Sequence, residues 1–263
     1  MKYIVCLSGG HSSAIAAIET VRRYGKDNTI LLNHDLCDRS EPEDVKRFKR
    51  EVADYLGLEI TQADMPGCHE KDQFDVCMER KAFKYGIQSS ALCTRVLKTE
   101  PFYAWLAENF PASKEKPCTS AVIIYGFDPQ EINRITRRTA LMAAIGYQTD
   151  YPLQWKDRTL SSTEEIGIER PASYSVFHHA NCLGCLKAGK QHWYVIYCLY
   201  PEVWNKAKYA EAQIGHSILK QSFLKDLEPE FERLRGGGLP ATEKIPPQAF
   251  WAQARKLLNE VTA

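Results

Sequence analysis

The chain has 263 residues, of which 44% are hydrophobic and 25% charged, a composition typical of a folded globular protein and not of a disordered one. Its 34 Lys and Arg residues balance 33 Asp and Glu residues, and the net charge of +1 excludes nucleic-acid binding through bulk charge. The apolar run Tyr3–Leu7 is too short for a secretory signal. We therefore expect a cytoplasmic protein without a membrane span, whose nine cysteines are mostly thiols.

The first half of the chain alternates short apolar runs with helical patterns. Strands are predicted at residues 2–7, 29–33, 58–61, 121–125 and, as an edge strand, 151–155. Helices are predicted at about 12–24, from a capping box at 40–43 to Gly57, across most of 70–110 with an interruption at 86–90, and at 130–145. This order predicts an α/β fold, with a doubly wound, mainly parallel five-stranded sheet and helices on both faces.

Helical periodicity also predicts which side chains are buried and where the strand pattern ends. The second helix repeats Val45, Phe48, Val52 and Tyr55, and the helix at 130–145 is predicted to turn Ile132, Ile135 and Met142 inward. Strand patterns end near residue 158. We predict an α/β domain over 1–158 and a mostly helical C-terminal region over 159–263 that carries a cysteine-rich turn.

A glycine-containing loop, Ser8–Ser13, separates the first strand from the first helix. Glycines allow backbone N–H groups to approach a phosphate, and the helix N-terminus adds a partial positive charge. The loop lacks the Lys-Ser/Thr ending of a Walker loop, and a tight turn with a serine cap is the alternative. Within it, His11 is a candidate general acid or base, since histidine titrates near neutrality, or else a spacer that faces water.

The segment Cys6–Ser13 resembles the PP-loop of the adenine nucleotide alpha hydrolase superfamily, whose usual form is Ser-Gly-Gly-x-Asp-Ser. The resemblance implies cleavage of ATP, with Mg²⁺, between its α and β phosphates, adenylation of an acceptor and release of pyrophosphate. Ser12 stands where the family has Asp. We expect its hydroxyl to bond phosphate, and Asp35 or Asp38 to supply charge for the metal.

A second resemblance involves cysteines. The segment Cys93–Phe102 resembles the Cys-x-x-(Arg/Leu)-Lys-x-x-Pro motif of the phosphoadenosine phosphosulfate reductase family, and Asn181-Cys182-Leu183-Gly184-Cys185 supplies a later CxxC. Iron–sulfur members of that family hold a [4Fe-4S] cluster with a Cys-Cys pair and a CxxC. Because Leu92 replaces the first cysteine, the resemblance implies three ligands, Cys93, Cys182 and Cys185, and one iron open to an extra sulfide.

Two other interpretations of the CxxC stay open. It could be a dithiol redox pair, or a zinc site together with nearby histidines, namely His178, His179 and His192. The remaining cysteines are predicted to be packing thiols: Cys6, Cys37, Cys68, Cys77, Cys118 and Cys198. Cys37, near the end of the second strand, is the candidate exception.

Polar groups in three further segments are placed near the nucleotide by resemblance or position. Gly126–Glu131 with Arg134, Arg137 and Arg138 resembles the family's Gly-x-x-x-x-Glu-x-x-Arg stretch, and the alternative is a solvated, salt-bridged surface. The predicted nucleotide-binding residues are Ser8, Gly9, Gly10, Ser12, Ser13, His34, Asp35, Arg95, Lys98, Gly126, Glu131, Arg134 and Arg138. The predicted catalytic residues are Ser8, His11, Ser12, Cys93, Cys182 and Cys185.

A small basic cluster follows the CxxC and consists of Lys187, Lys190 and His192 beside Trp193 and Tyr194. It suits either nucleic-acid contact or a surface helix with an aromatic inner face.

The chain lacks the nucleophile that sulfonucleotide reductases use, because no cysteine follows Cys198. What remains resembles the ATP pyrophosphatases of bacterial DNA phosphorothioation, which implies an ATP-dependent sulfurtransferase. The expected partners are a cysteine desulfurase as sulfur donor and a nucleic acid, DNA being favoured over tRNA, in a homodimer or a hetero-complex. The alternatives are a tRNA thiolation enzyme and a non-catalytic nucleotide-binding scaffold subunit.

Overall fold

The computed structural model describes residues 1–64, 66–85, 90–180 and 182–260. Packing divides the chain into two units, each built from separate segments. The first unit comprises 1–35, 43–66 and 97–171, and the second comprises 36–42, 67–96 and 172–263. The predicted domain boundary at residue 158 stays a prediction. Residues 86–89 of the predicted interruption at 86–90, like Asn181, lie outside the described residues.

Seven strands and ten helices occur in the described residues. The strands are β1 (Lys2–Cys6), β2 (Thr29–Asn33), β3 (Ile60–Gln62), β4 (Lys84–Tyr85), β5 (Ser90–Ala91), β6 (Ala121–Ile124) and β7 (Gln148–Asp150). The helices are α1 (His11–Tyr24), α2 (Glu43–Leu56), α3 (Gln73–Glu79), α4 (Leu92–Thr94), α5 (Glu100–Asn109), α6 (Ile132–Ala143), α7 (Lys190–Leu199), α8 (Pro201–Ile214), α9 (Leu224–Gly236) and α10 (Pro247–Glu260). A π-helical turn, Arg95–Thr99, joins α4 to α5.

The first unit contains a five-stranded parallel sheet in the order β3-β2-β1-β6-β7, which confirms the predicted α/β fold. The central strand β1 is apolar on both faces, and its Ile4 and Val5 are fully buried. From β1 the chain adds β2 and β3 on one side and later β6 and β7 on the other. The order therefore reverses between β1 and β6, and the carboxyl ends of these two strands form the crevice in which doubly wound sheets bind ligands.

The second unit is mainly helical, as predicted for the C-terminal part of the chain. It contains the short antiparallel pair β4–β5 and the helices α3, α4 and α7 to α10. Its core is dominated by aromatic side chains, namely Phe74, Trp193, Tyr194, Phe231 and Phe250. Large rings bury much apolar surface per residue, which suits helices that cross at varied angles.

The edge strand was predicted too late in the chain. Strand β7 ends at Asp150, whereas 152–154 form a 3₁₀ turn. Pro152 cannot donate a hydrogen bond to a neighbouring strand. The Asp150 carboxylate also accepts bonds from the Tyr151 N–H (2.7 Å) and from Trp155 Nε1 (3.1 Å), and so fixes the turn.

Three details of the predicted helices were wrong. Helix α2 begins at Glu43, three residues after Ser40, so Ser40 is not its N-cap as predicted; the Ser40 hydroxyl instead donates to Gln73 Oε1 (2.6 Å) within the second unit. Tyr55 is 48% exposed and Ile132 is 65% exposed, although both were predicted to face inward. Met142 is fully buried, as predicted.

None of the helices in the described ranges has the length and apolarity that a membrane span requires.

Candidate functional site

The glycine loop turns sharply between β1 and α1. Gly9 has a φ of +76°, and a Cβ there would lie 2.5 Å from Val45 Cγ1, so only glycine fits. Gly10 is the N-cap of α1 and has no side chain with which to cap it, which does not support the alternative of a serine cap. Ser13 Oγ instead donates to the Gly10 carbonyl (2.7 Å) and accepts the Ser8 N–H (3.2 Å). The loop thus presents a helix N-terminus without an acidic residue in its first turn, an arrangement that favours anions.

The end of β6 lies directly against this loop. A Cβ on Gly126 would lie 2.5 Å from the Ser12 carbonyl oxygen and 2.6 Å from Ser13 Cα. Two residues later, the Asp128 carboxylate lies 3.3 and 3.4 Å from Ser12 Oγ. The predicted proximity of the loop and residue 126 is therefore present, and it brings an acidic side chain to Ser12.

A buried lysine behind the loop was not predicted. Lys49 on α2 is 4% exposed, and its Nζ donates to Asn33 Oδ1 (2.9 Å). Its Cδ lies 3.4 Å from the point where a Cβ on Gly9 would be. The sequence contained a signal: Lys49 follows Val45 by four residues and precedes Val52 by three, so it lies on the apolar face of α2.

Lys98 extends this positive region beside His34, at the carboxyl end of β2. The His34 ring donates from Nδ1 to the Ala63 carbonyl (2.6 Å). Burial, together with the charges of Lys98 and Lys49, lowers the pKa of His34 to about 4, although the Ala63 bond acts in the opposite direction. His34 is therefore neutral at pH 7, and the two lysines remain as the cations beside it.

Of the two acidic residues expected to supply metal charge, one is engaged and the other is not part of the first unit. The Asp35 carboxylate pairs with Lys46 (3.0 Å), and the Asp35 N–H donates to the Asp64 carboxylate (3.0 Å). Asp38 belongs to the second unit. Asp128, in contrast, contacts Ser12 of the loop directly.

The basic residues of α6 are held against aromatic rings. Arg134 pairs with Glu131 (2.6 Å) and lies over the Phe127 ring (4.0 Å from guanidinium carbon to ring centre). Arg138 lies 5.2 Å from the centre of the Tyr125 ring. The Glu131–Arg134 pair agrees with the alternative of a salt-bridged surface, and phosphate contact by these arginines stays a prediction.

His11 is engaged by a neighbouring segment. Its Nε2 accepts the Thr163 N–H (3.2 Å) and lies 3.8 Å from Glu164 Oε2. Burial, with the charge of Arg170, lowers the pKa of His11 and so favours the neutral ring, in which Nε2 accepts that bond when the ring proton is on Nδ1. The side chain does not simply face water, and its predicted role as acid or base stays a prediction.

The CxxC turn of the second unit is held by hydrogen bonds to distant residues. The Leu183 N–H donates to the Ser40 carbonyl (3.0 Å), and Gln73 Nε2 donates to the Gly184 carbonyl (3.4 Å). Gly184 has a φ of +69°, and a Cβ there would lie 2.7 Å from Val203 Cγ1. These contacts place Cys182 and Cys185 on a turn with a defined backbone.

Cys93 lies in α4 and contacts a cysteine that was assigned to packing. The Cys77 thiol is fully buried, and its hydrogen bond with Cys93 is the largest cause of its raised pKa, followed by burial. Cys77 follows Gln73 by one helical turn, so both lie on one face of α3.

Within the ranges that the structure describes, no three His, Cys, Asp or Glu side chains gather closely enough to hold a metal ion. As placed, Cys93, Cys182 and Cys185 do not form a ligand set for a cluster or for zinc. A cluster and a zinc ion at these cysteines both stay predictions.

Two predicted segments remain, the π-helical turn with its basic residues and the aromatic helix α7. Arg95 and Lys98 both lie in the π-helical turn, and such turns are frequent at functional sites. In α7, Trp193 and Tyr194 are fully buried and His192 Nδ1 pairs with Glu243 (2.9 Å). This burial favours the aromatic inner face over nucleic-acid contact there.

Comparisons with protein-family models, with curated proteins and with solved structures found no match.

Proposed function

We propose that the protein is an ATP pyrophosphatase that adenylates a nucleic acid so that sulfur can replace an oxygen, as in DNA phosphorothioation. The observation that carries the proposal is the glycine loop at the reversal of strand order, where α1 presents an uncapped N-terminus. The buried Lys49 behind Gly9 supports the same site, because a buried ammonium favours a bound anion.

The charges around the loop suit a triphosphate more than a neutral ligand. Lys49 and Lys98 act on His34 from the carboxyl end of β2, and Arg134 and Arg138 extend from α6. Lysine binds phosphate as a point charge and arginine in a bidentate manner. The proposed reaction starts when an acceptor oxygen attacks the α-phosphorus and pyrophosphate leaves; a sulfur nucleophile then displaces AMP, which carries that oxygen away.

The sulfur part of the proposal rests on the resemblance and on the thiols of the second unit. Cys93 and the Cys182–Cys185 turn, whose cysteines are partly exposed, offer thiols of the kind that carry sulfur. We propose a cytoplasmic protein that receives sulfur from a cysteine desulfurase and acts on DNA, as a homodimer or with other subunits.

The test is product analysis with ATP labelled at the α-phosphate, with Mg²⁺ and either DNA or tRNA present. We expect pyrophosphate and an adenylated acceptor or AMP, and a loss of both in Gly9→Ala, whose Cβ would displace the loop from Val45. Gly236→Ala is the matched control, because nothing lies within 4 Å of its Cβ. ADP as the product would refute the proposal, whereas binding of ATP without cleavage under every condition would favour the scaffold subunit.

The sulfur part has a separate test. Anaerobic purification with iron and sulfide counts determines whether the thiols hold a cluster. A metal-free or zinc-loaded protein would exclude the iron–sulfur prediction without affecting the ATP reaction.

A further inference from the structure

The proposed ATP site lacks an acidic residue in the loop itself. ATP is used as its Mg²⁺ complex, and Mg²⁺ prefers hard oxygen ligands, commonly one or two carboxylates together with phosphate oxygens and water. The first turn of α1 contains no acidic residue, and Ser12 offers only a hydroxyl. A carboxylate for the metal therefore has to come from another segment.

Asp128 lies where such a carboxylate would be needed. Its two oxygens are 3.3 and 3.4 Å from Ser12 Oγ, and its side chain is exposed to solvent. The approach depends on Gly126, since a Cβ there would lie 2.5 Å from the Ser12 carbonyl oxygen. The strand that precedes Asp128 is β6, the direct neighbour of β1 in the sheet.

The turn that carries Asp128 is fixed by its own hydrogen bonds. The Asp128 N–H donates to Glu131 Oε2 (2.9 Å), and the Glu131 N–H donates to the Asp128 carbonyl (2.9 Å). Glu131 also pairs with Arg134 (2.6 Å). These bonds hold the backbone of the turn, so the carboxylate is presented beside Ser12 at little entropic cost.

We propose that Ser12 and Asp128 together bind the divalent cation of the ATP complex, an inference that rests on the proposed function. A hydroxyl and a carboxylate are the hard oxygen donors that Mg²⁺ takes. P-loop NTPases divide the task in the same way, with a Ser or Thr of the loop and an Asp from a separate segment. Asp128 thus takes the role for which Asp35 and Asp38 were considered from the sequence alone.

The experiment measures metal binding and not turnover. Mn²⁺ is titrated by electron paramagnetic resonance in the presence of α,β-methylene-ATP, and binding of the analogue without metal is measured separately in EDTA. We expect Asp128→Asn to weaken Mn²⁺ binding at least tenfold, while metal-free binding of the analogue changes less than threefold. Asp157→Asn, which removes an exposed carboxylate paired with Arg23, is the control and should match the wild type.

A second variant keeps the inference open to refutation if Asp128→Asn is unstable. The double variant Ser12→Asp with Asp128→Asn moves the carboxylate onto the loop, and we expect it to recover most of the Mn²⁺ affinity. The inference would be overturned, with the ATP site itself unaffected, by any of three results. These are unchanged Mn²⁺ binding in Asp128→Asn, no recovery of Mn²⁺ binding in a folded double variant, or a loss of metal-free binding of the analogue as large as the loss of Mn²⁺ binding. Failure of the wild type to bind the analogue with or without metal would overturn the proposed function itself.

Discussion

Gly126→Ala tests whether close contact between β6 and the loop is needed for both stability and ATP binding. The added Cβ would lie 2.5 Å from the Ser12 carbonyl oxygen, 2.6 Å from Ser13 Cα and 2.7 Å from the Ser12 carbonyl carbon. All three atoms belong to the backbone, so no flexible side chain can move aside. The φ of Gly126 lies outside the left-handed region, and the effect is therefore steric and not conformational.

The separation has to grow by roughly an ångström to reach ordinary contact distances, and overpacking of this kind costs about 1–3 kcal/mol. For a protein of this size, that cost lowers the melting temperature by about 2–10 °C. A backbone N–H group displaced by about 1 Å no longer lies within hydrogen-bonding distance of a phosphate oxygen, so we expect ATP binding to fall at least tenfold.

Calorimetry and isothermal titration with an ATP analogue provide the two measurements. Gly236→Ala is the control, since it changes the same residue type at the end of α9 with nothing within 4 Å and should be neutral or slightly stabilising. An unchanged melting temperature with ATP binding within twofold of the wild type would refute the steric argument.

Three further predictions follow from buried groups. Lys49→Met should weaken binding of the ATP analogue at least tenfold in isothermal titration while the fold is retained, because Met fills the same space without the charge; equal binding would show that Lys49 is structural. His34 has a folded pKa of about 4 against an ordinary value of 6.5, so the unfolded state binds more protons between these values and the free energy of unfolding should fall by roughly 3 kcal/mol as the pH drops from 6.5 to 4. Denaturant titrations of His34→Gln should show a shallower fall, and an identical slope would contradict this assignment. In denaturant titrations, Met142→Ala should lower the free energy of unfolding by about 2–5 kcal/mol and Ile132→Ala by less than about 0.5 kcal/mol, because Met142 is buried and Ile132 is exposed. Equal losses would mean that the buried face of α6 is placed wrongly.

The sheet and the glycine loop could be predicted because their signals are local. A short apolar run that ends in Ser-Gly-Gly determines both a buried strand and the turn after it, and Gly25 and Gly57 mark the ends of α1 and α2. The edge strand was misplaced because residues 148–150 contain polar side chains and the more apolar run follows Asp150. At an edge, apolarity is a weaker guide than hydrogen-bonding capacity.

The site was predicted less completely, since its decisive contacts join residues far apart in the chain. Ser12 and Asp128 are brought together by the strand order β1–β6, which periodicity does not specify. Cys77 is a packing thiol, as predicted, and its contact with Cys93 could not be foreseen because no sequence pattern joins the two segments. Lys49 did leave a signal in the sequence, because it is a lysine on the apolar face of a helix. That signal indicates an anion site only once the helix is known to pack behind the glycine loop.

Lys49 and Asp128, which approach the loop at Gly9 and at Ser12, differ in the sign of their charge, and this difference bears on how a nucleotide would lie. Lys49 and Lys98 act at the carboxyl end of β2, whereas Asp128 follows β6 on the opposite side of β1. A triphosphate is repelled by a carboxylate unless a cation lies between them, and is attracted by lysines directly. If both proposals hold, the metal-bound phosphates point toward β6 and metal-free phosphate oxygens toward β2. Removal of the Asp128 carboxylate should then weaken nucleotide binding only when metal is present, so that the effect disappears in EDTA. Removal of the Lys49 charge should weaken nucleotide binding both with metal and in EDTA.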